Sequence, residues 1–204
     1  MKRNHKRFLI LIALSLITYL SISWAGGQGQ ALKAEEPVLI ASCGQSPAPV
    51  MLKVILQKLK VNFEFAPLAT SQDLKTKKDA GTPYKSLIVT MGASLKGMGA
   101  AGISIDDELK RTGELIDEAR REGIKIIGAH IEGMKRRAQG AAAGDTTDEQ
   151  SIDAVAPKSD LLVVNKEGNV DGRFTTIANE KKIPLIEVEK NLDLMAELGK
   201  LFQK

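Results

Sequence analysis

One cysteine, two histidines, one tryptophan and two tyrosines in 204 residues leave little material for several kinds of chemistry. A lone Cys43 makes no intramolecular disulfide, so stability has to come from packing. One cysteine and two histidines fall short of a zinc, haem or iron–sulfur ligand set. No cofactor or metal is therefore expected. An all-oxygen magnesium or calcium site on Asp106-Asp107-Glu108 stays open, though these acids also suit the first turn of a helix. Aromatic residues make up 4% and are not interleaved with basic ones, which argues against nucleic acid. An excess of one charge is lacking too. The formal +4 comes from Lys2, Arg3, Lys6 and Arg7, and the remaining basic residues balance the 25 acidic ones.

What is present begins with an address. A basic stretch to Arg7 precedes the apolar run Phe8–Ile22, and Ser23-Trp24-Ala25 puts small residues before a cut after Ala25. This is the three-part pattern of a secretory signal peptide. The run is shorter than the roughly 20 residues that span a bilayer. Cleavage would leave the chain periplasmic or secreted; uncleaved, the segment would be a membrane anchor. No cysteine sits near the cut, so lipid attachment there is not expected. Polar, glycine-rich 26–36 reads as a linker.

From Pro37 to Lys204 the pattern is that of one α/β domain. Strands are expected at Val38–Cys43, Val61–Phe65, Ser86–Met91, Lys125–His130, Leu161–Asn165 and Leu185–Val188. Most are continuous apolar runs, as in strands covered on both faces. Helices are expected between them. Ser46-Pro47 opens Ala48–Lys60, Ser104 and Asp107 cap Ile105–Glu122, and Thr147 opens a short helix stopped by Pro157. Asp171 caps Gly172–Lys182, Asn191 caps Leu192–Gln203, and a frayed helix covers Gln72–Asp79. The alternation predicts a three-layer, doubly wound, mostly parallel sheet, Rossmann-like or flavodoxin-like. Ligands in such sheets bind beyond the carboxyl ends of the strands, where the strand order reverses.

The loops at that edge carry the candidate residues. Gly44-Gln45-Ser46 leads from the first strand into a helix N-terminus, which favours an anion. It also imitates a nucleophile elbow, but Pro47 lacks the N–H that an oxyanion hole would use. After the third strand, Gly97-x-Gly99-x-x-Gly102 matches the dinucleotide fingerprint in letters only. It starts several residues past the strand, and no acidic residue ends a second strand. The stretch reads instead as a glycine-rich loop, with Ser94 and Lys96, able to cradle an anion. His130 and Arg136 border a long Gly/Ala stretch, 138–146, of the kind that forms lids. Lys166 adds to a mixed rim. A Cys43–His130 dyad is rejected, because an intervening strand would set the two about 10 Å apart. No acid ends the first strand, which argues against aspartyl phosphotransfer.

Together, Gly44-Gln45-Ser46, Lys96-Gly97-x-Gly99-Ala-Ala-Gly102 with Asp106-Asp107-Glu108, His130-Ile131, Ser151-Ile152-Asp153 and Lys166-Glu167-Gly168-Asn169-x-Asp171-Gly172 resemble an uncharacterised family of exported bacterial α/β proteins, a domain of unknown function. The resemblance runs from about Pro37 to the C-terminus and implies an exported single domain. It supplies no activity, substrate or catalytic residue.

The leading expectation is an exported, non-catalytic domain for a small anionic ligand, accessory to a membrane transporter or sensor. Its pocket would lie between Gly44–Ser46 and Gly92–Gly102, with Lys96 as the charge. One alternative is an extracytoplasmic hydrolase or transferase using His130 or Cys43. The other is a structural or protein-interaction domain.

Overall fold

The apolar runs rich in valine, isoleucine and leucine form six parallel strands. They are β1 (Val38–Cys43), β2 (Phe63–Phe65), β3 (Ser86–Met91), β4 (Lys125–His130), β5 (Leu161–Asn165) and β6 (Leu185–Val188). The computed structural model describes residues 33–138 and 146–204. The signal segment, most of the linker and most of the 138–146 stretch therefore lie outside the described residues. The strand order is β2-β1-β3-β4-β5-β6, every pair parallel, so the doubly wound α/β class holds.

Two helical layers cover the sheet, and side-chain alternation sorts the strands between them. Leu39, Ala41 and Cys43 of β1 join Leu87, Val89 and Met91 of β3 on one face. Against them pack α2 (Ser71–Asp79), α4 (Ile105–Arg121), α5 (Thr147–Val155) and α6 (Arg173–Lys181), through Leu74, Leu115, Ile152 and Phe174 among others. Val38, Ile40, Ile88, Ile127 and Val163 face the other layer, formed by α1 (Ala48–Lys58) and α7 (Asn191–Phe202). No described helix is long and apolar enough to cross a membrane.

Helix ends follow local chemistry. Ser104 Oγ accepts the Asp107 N–H at 3.1 Å, and the acids of that first turn favour the positive end of the α4 dipole. Thr70 and Asp73 close a similar cap, so the stretch expected to fray is a two-turn helix. Thr146, rather than Thr147, caps α5, and α1 has its N-cap at Pro47 rather than Ser46.

Gly172, not Asp171, is the N-cap of α6 and Lys190, not Asn191, that of α7; one whole segment also departs from the sequence reading. The glycine-rich loop after β3 is a helix, α3 (Leu95–Ala101), started by Ser94 and ended by Gly102 in the left-handed conformation. Glycine and its high backbone entropy had hidden it. The two cap residues were the available signal.

A test of the packing sits at Gly128, in the middle of β4. A Cβ there would overlap Ser159 Oγ and lie 3.0 Å from Leu162 Cδ2. Gly128→Ala should cost about 1–3 kcal/mol in urea unfolding. Adding Ser159→Ala removes the overlapping atom and should recover most of that loss; strict additivity would count against the contact.

Candidate functional site

The strand order reverses between β1 and β3, so the loops leaving these strands should diverge and open a crevice. They do not. Gln45 and Ala93 form an isolated antiparallel bridge, and the Ser94 N–H donates to the Gly44 carbonyl at 2.7 Å. A Cβ on Gly44 would stand 2.6 Å from the Ala93 Cα and the Gly92 oxygen, and one on Gly97 would overlap the Gln45 carbonyl oxygen. The two turns are zipped together, backbone on backbone.

The amide groups that would cradle an anion are also taken. Gly44 N–H donates to Glu108 Oε1 at 2.9 Å, and Ala93 N–H to Asp148 Oδ1 at 2.7 Å. Gly92 N–H meets Ser151 Oγ at 2.8 Å, Gln45 N–H meets Ser42 Oγ at 3.1 Å, and Gly97 N–H meets Ser94 Oγ at 3.1 Å. Two of the chain's own carboxylates thus sit where a bound anion was expected. Lys96 is exposed and makes no ion pair among the described residues. Ser46 is buried, and its Oγ accepts only the Ala48 N–H, at 3.4 Å. No base reaches it, so the elbow imitation fails in structure as well. Lys166 pairs with Glu189 at 2.8 Å on the surface.

Glu108 has no exposed surface, and its second oxygen takes Arg111 Nε at 2.9 Å. Arg111 in turn donates to the Ser42 and Ala69 carbonyls. Gln45, left-handed at φ +54°, donates its side-chain N–H to Glu108 at 2.6 Å and to the Pro67 carbonyl at 3.3 Å. Glu108 and Arg111 thereby bind α4 to the turn after β1 and to the loop after β2. Asp106 and Asp107 stay on the exposed side of the helix. Among the described residues no cluster of acids, histidines and cysteine could hold a metal ion.

At the carboxyl end of β4 the side chains are denser. His130 is fully buried; its Nε2 lies 3.0 Å from the Arg136 carbonyl, its ring sits 5.0 Å from that of Phe174, and its Nδ1 has no partner among the described residues. Burial holds its pKa below the ordinary histidine value. Burial likewise pushes the Cys43 thiol up to about 12. β3 separates their strands, so the rejected dyad is absent and neither group reaches solvent. Arg137 is buried on Glu149 at 2.7 Å and also binds Asp171 and the Gly168 carbonyl. Arg173 joins Glu149 to Asp153.

Beside this network lies the part that is not self-satisfied. Arg136 donates to the Ala93 carbonyl at 2.8 Å and to Glu132 Oε1 at 3.4 Å. Glu132 Oε2 is buried and has no partner among the described residues. Asp148 faces the same arginine; burial raises its pKa, with Glu149 and Glu132 pushing the same way and Arg136 opposing. Sequence reasoning gave Asp148 no role, because its partners Ala93 and Arg136 lie on other elements.

Comparison with known proteins gives three findings. The model of a family described as a domain of unknown function (DUF6305) matches residues 35–202. No curated protein matches. Solved structures that resemble the chain include a GDSL-like lipase from Bacteroides thetaiotaomicron VPI-5482, at 14% identity and TM-score 0.33, covering 92% of this chain and 82% of that one. An acetyl xylan esterase, AlAXEase, matches at 12% identity and TM-score 0.35, over 78% of this chain and 80% of its own. A mutant of the esterase AlinE4 matches at 16% identity and TM-score 0.33, over 83% and 84%.

The expected non-catalytic domain for a small anion is therefore corrected. The filled crevice, with carboxylates seated on its amides, overturns it.

Two outcomes check this geometry. Gly97→Ala and Gly99→Ala lie in the same helix and should differ in sign. The first collides with Gln45 and should destabilise by about 1–3 kcal/mol; the second meets open space and should gain up to about 1 kcal/mol of helix propensity in urea unfolding. Asp148→Asn tests the raised carboxyl. Because its native pKa is raised, the native state binds the proton more tightly than the unfolded chain, and stability falls as pH rises from the ordinary aspartate value through the raised one. The asparagine keeps an acceptor for Ala93 and carries no charge. Its thermal midpoint should exceed the parent's at pH 7, and the gap should close toward pH 3.

Proposed function

The chain belongs to the family described as a domain of unknown function (DUF6305), and we propose that it is an exported hydrolase whose water-handling group is the Asp148 carboxyl, with Glu132 and Arg136 beside it. The N-terminal signal pattern supports export. One observation carries the chemistry: a buried carboxylate oxygen, Glu132 Oε2, has no partner among the described residues and lies next to an aspartate whose pKa burial has raised. Buried polar atoms are nearly always satisfied, so an orphan beside a perturbed carboxyl marks a place kept for something else.

The roles follow from position. Asp148 Oδ1 is pinned by the Ala93 N–H, leaving Oδ2 to take a proton from water. A carboxyl with a raised pKa is a stronger base once ionised, and it keeps its proton to a higher pH, where it can serve as a general acid. Glu132 supplies the second carboxyl of an acid–base pair. Arg136, fixed through the Ala93 carbonyl, supplies positive charge for a developing oxyanion. The hydrolase reading thus stands without His130 or Cys43, both sealed in the core.

Ester substrates are the first to try, because the similar structures include esterases. The purified protein should release 4-nitrophenolate from 4-nitrophenyl acetate or butyrate. Asp148→Asn should lower kcat/KM by about 10²–10⁴-fold, and Cys43→Ala should leave it unchanged. As a base Asp148 works only when ionised, so kcat/KM should climb with pH through a carboxyl pKa above the ordinary aspartate value. Glu132→Gln should move that limb. Full activity in Asp148→Asn, or no turnover across ester, amide and glycoside substrates, would overturn the reading.

A further inference from the structure

A second feature at the carboxyl edge lies on the other side of β1, and it does not rest on the hydrolase reading. A cleft of about 450 Å³ opens between the turn after β1 and the loop joining β2 to α2. Its apolar lining includes Leu39, Ala66 and Leu68, and its polar side chains are Gln45, Glu64 and Asp73. Both walls are held from behind by the same buried pair. Glu108 grips Gln45, Arg111 grips the Ala69 carbonyl, and Gln45 itself spans to Pro67. The cleft is therefore preformed, as small-molecule sites usually are.

What its polar groups still offer is one-sided. The Gln45 carboxamide has its N–H donors committed to Pro67 and Glu108, so its uncommitted atom is the carbonyl oxygen. Asp73 uses Oδ2 in the cap of α2, and Glu64 uses Oε2 on Lys77 at 2.7 Å. Asp73 keeps its second oxygen, and Glu64 also faces the Tyr84 hydroxyl. The side chains lining the cleft thus present acceptors around an apolar floor, and none of them is basic. The Lys77 ammonium on Glu64 shows the kind of group this rim accepts.

We propose that this cleft binds a small organic cation, a primary ammonium carried on a short apolar body. The ammonium would meet the Gln45, Asp73 and Glu64 oxygens while the hydrocarbon covers Leu39, Ala66 and Leu68. This is the opposite of the anion expected from the sequence, and it lies across β1 from the closed crevice.

The test is amide chemical-shift mapping of the full chain with n-butylammonium, n-butanol and n-butyrate. Butylammonium should shift the amides of Gln45, Ala66, Leu68 and Asp73 and saturate, butanol should bind more weakly, and butyrate should leave them in place. Glu64→Gln should weaken butylammonium about threefold, a modest effect because Glu64 is half-exposed. Leu68, exposed at the rim, can be changed without touching the core; Leu68→Arg should lower butylammonium affinity at least about tenfold. Equal shifts with all three compounds, shifts that map elsewhere, or unchanged affinity in Leu68→Arg would overturn the proposal. The readout needs no turnover, so it fails or succeeds separately from the hydrolase assay.

Discussion

Everything at the carboxyl edge of this sheet depends on carboxylates accepting backbone N–H groups. Glu108 reaches the Gly44 amide from α4, and Asp148 reaches the Ala93 amide from α5. A strand-to-helix turn leaves amides without internal partners, and in many α/β proteins a ligand supplies the anion. Here the chain supplies it. That choice docks two helices against the turns and closes the crevice at the strand-order reversal, while a cavity remains on the far side of β1.

Two buried arginines extend the same logic. Arg111 neutralises Glu108 and ties the ends of β1 and the β2 loop; Arg137 neutralises Glu149 and ties the segments after β4 and β5. Removing one member of such a pair strands a buried charge, which is far costlier than the pair is stabilising. The edge is thus rigid where it is paired. Glu132 and Asp148 are only partly committed: Asp148 Oδ1 accepts the Ala93 N–H and Glu132 Oε1 accepts from Arg136, while Glu132 Oε2 has no partner among the described residues.

Glycine use shows how misleading a motif can be without its setting. Gly97 and Gly99 stand two apart in what looks like a phosphate fingerprint, yet both are helical. Gly97 is required because α3 lies directly on the Gln45 carbonyl, whereas Gly99 faces open space. The spacing arises from packing on one side of a helix and not from a ligand.

The strands and their order of appearance were legible in the sequence because burial on both faces demands continuous apolar runs, as in Val38–Cys43 and Leu161–Asn165. The caps at Ser104 and Asp107 were legible because they act over three residues. Cys43 and His130 could be set apart from strand spacing alone. By contrast α3 was hidden by its glycines, and the site was hidden by distance. Glu108 lies 64 positions from Gly44, and Asp148 lies 55 from Ala93. No local pattern marks such partners. The sequence by itself determined the layers of the sheet, since hydrophobic periodicity is local; the tertiary structure alone decided which amides were already satisfied and which buried carboxylate oxygens lack a partner among the described residues, since that depends on where distant helices land.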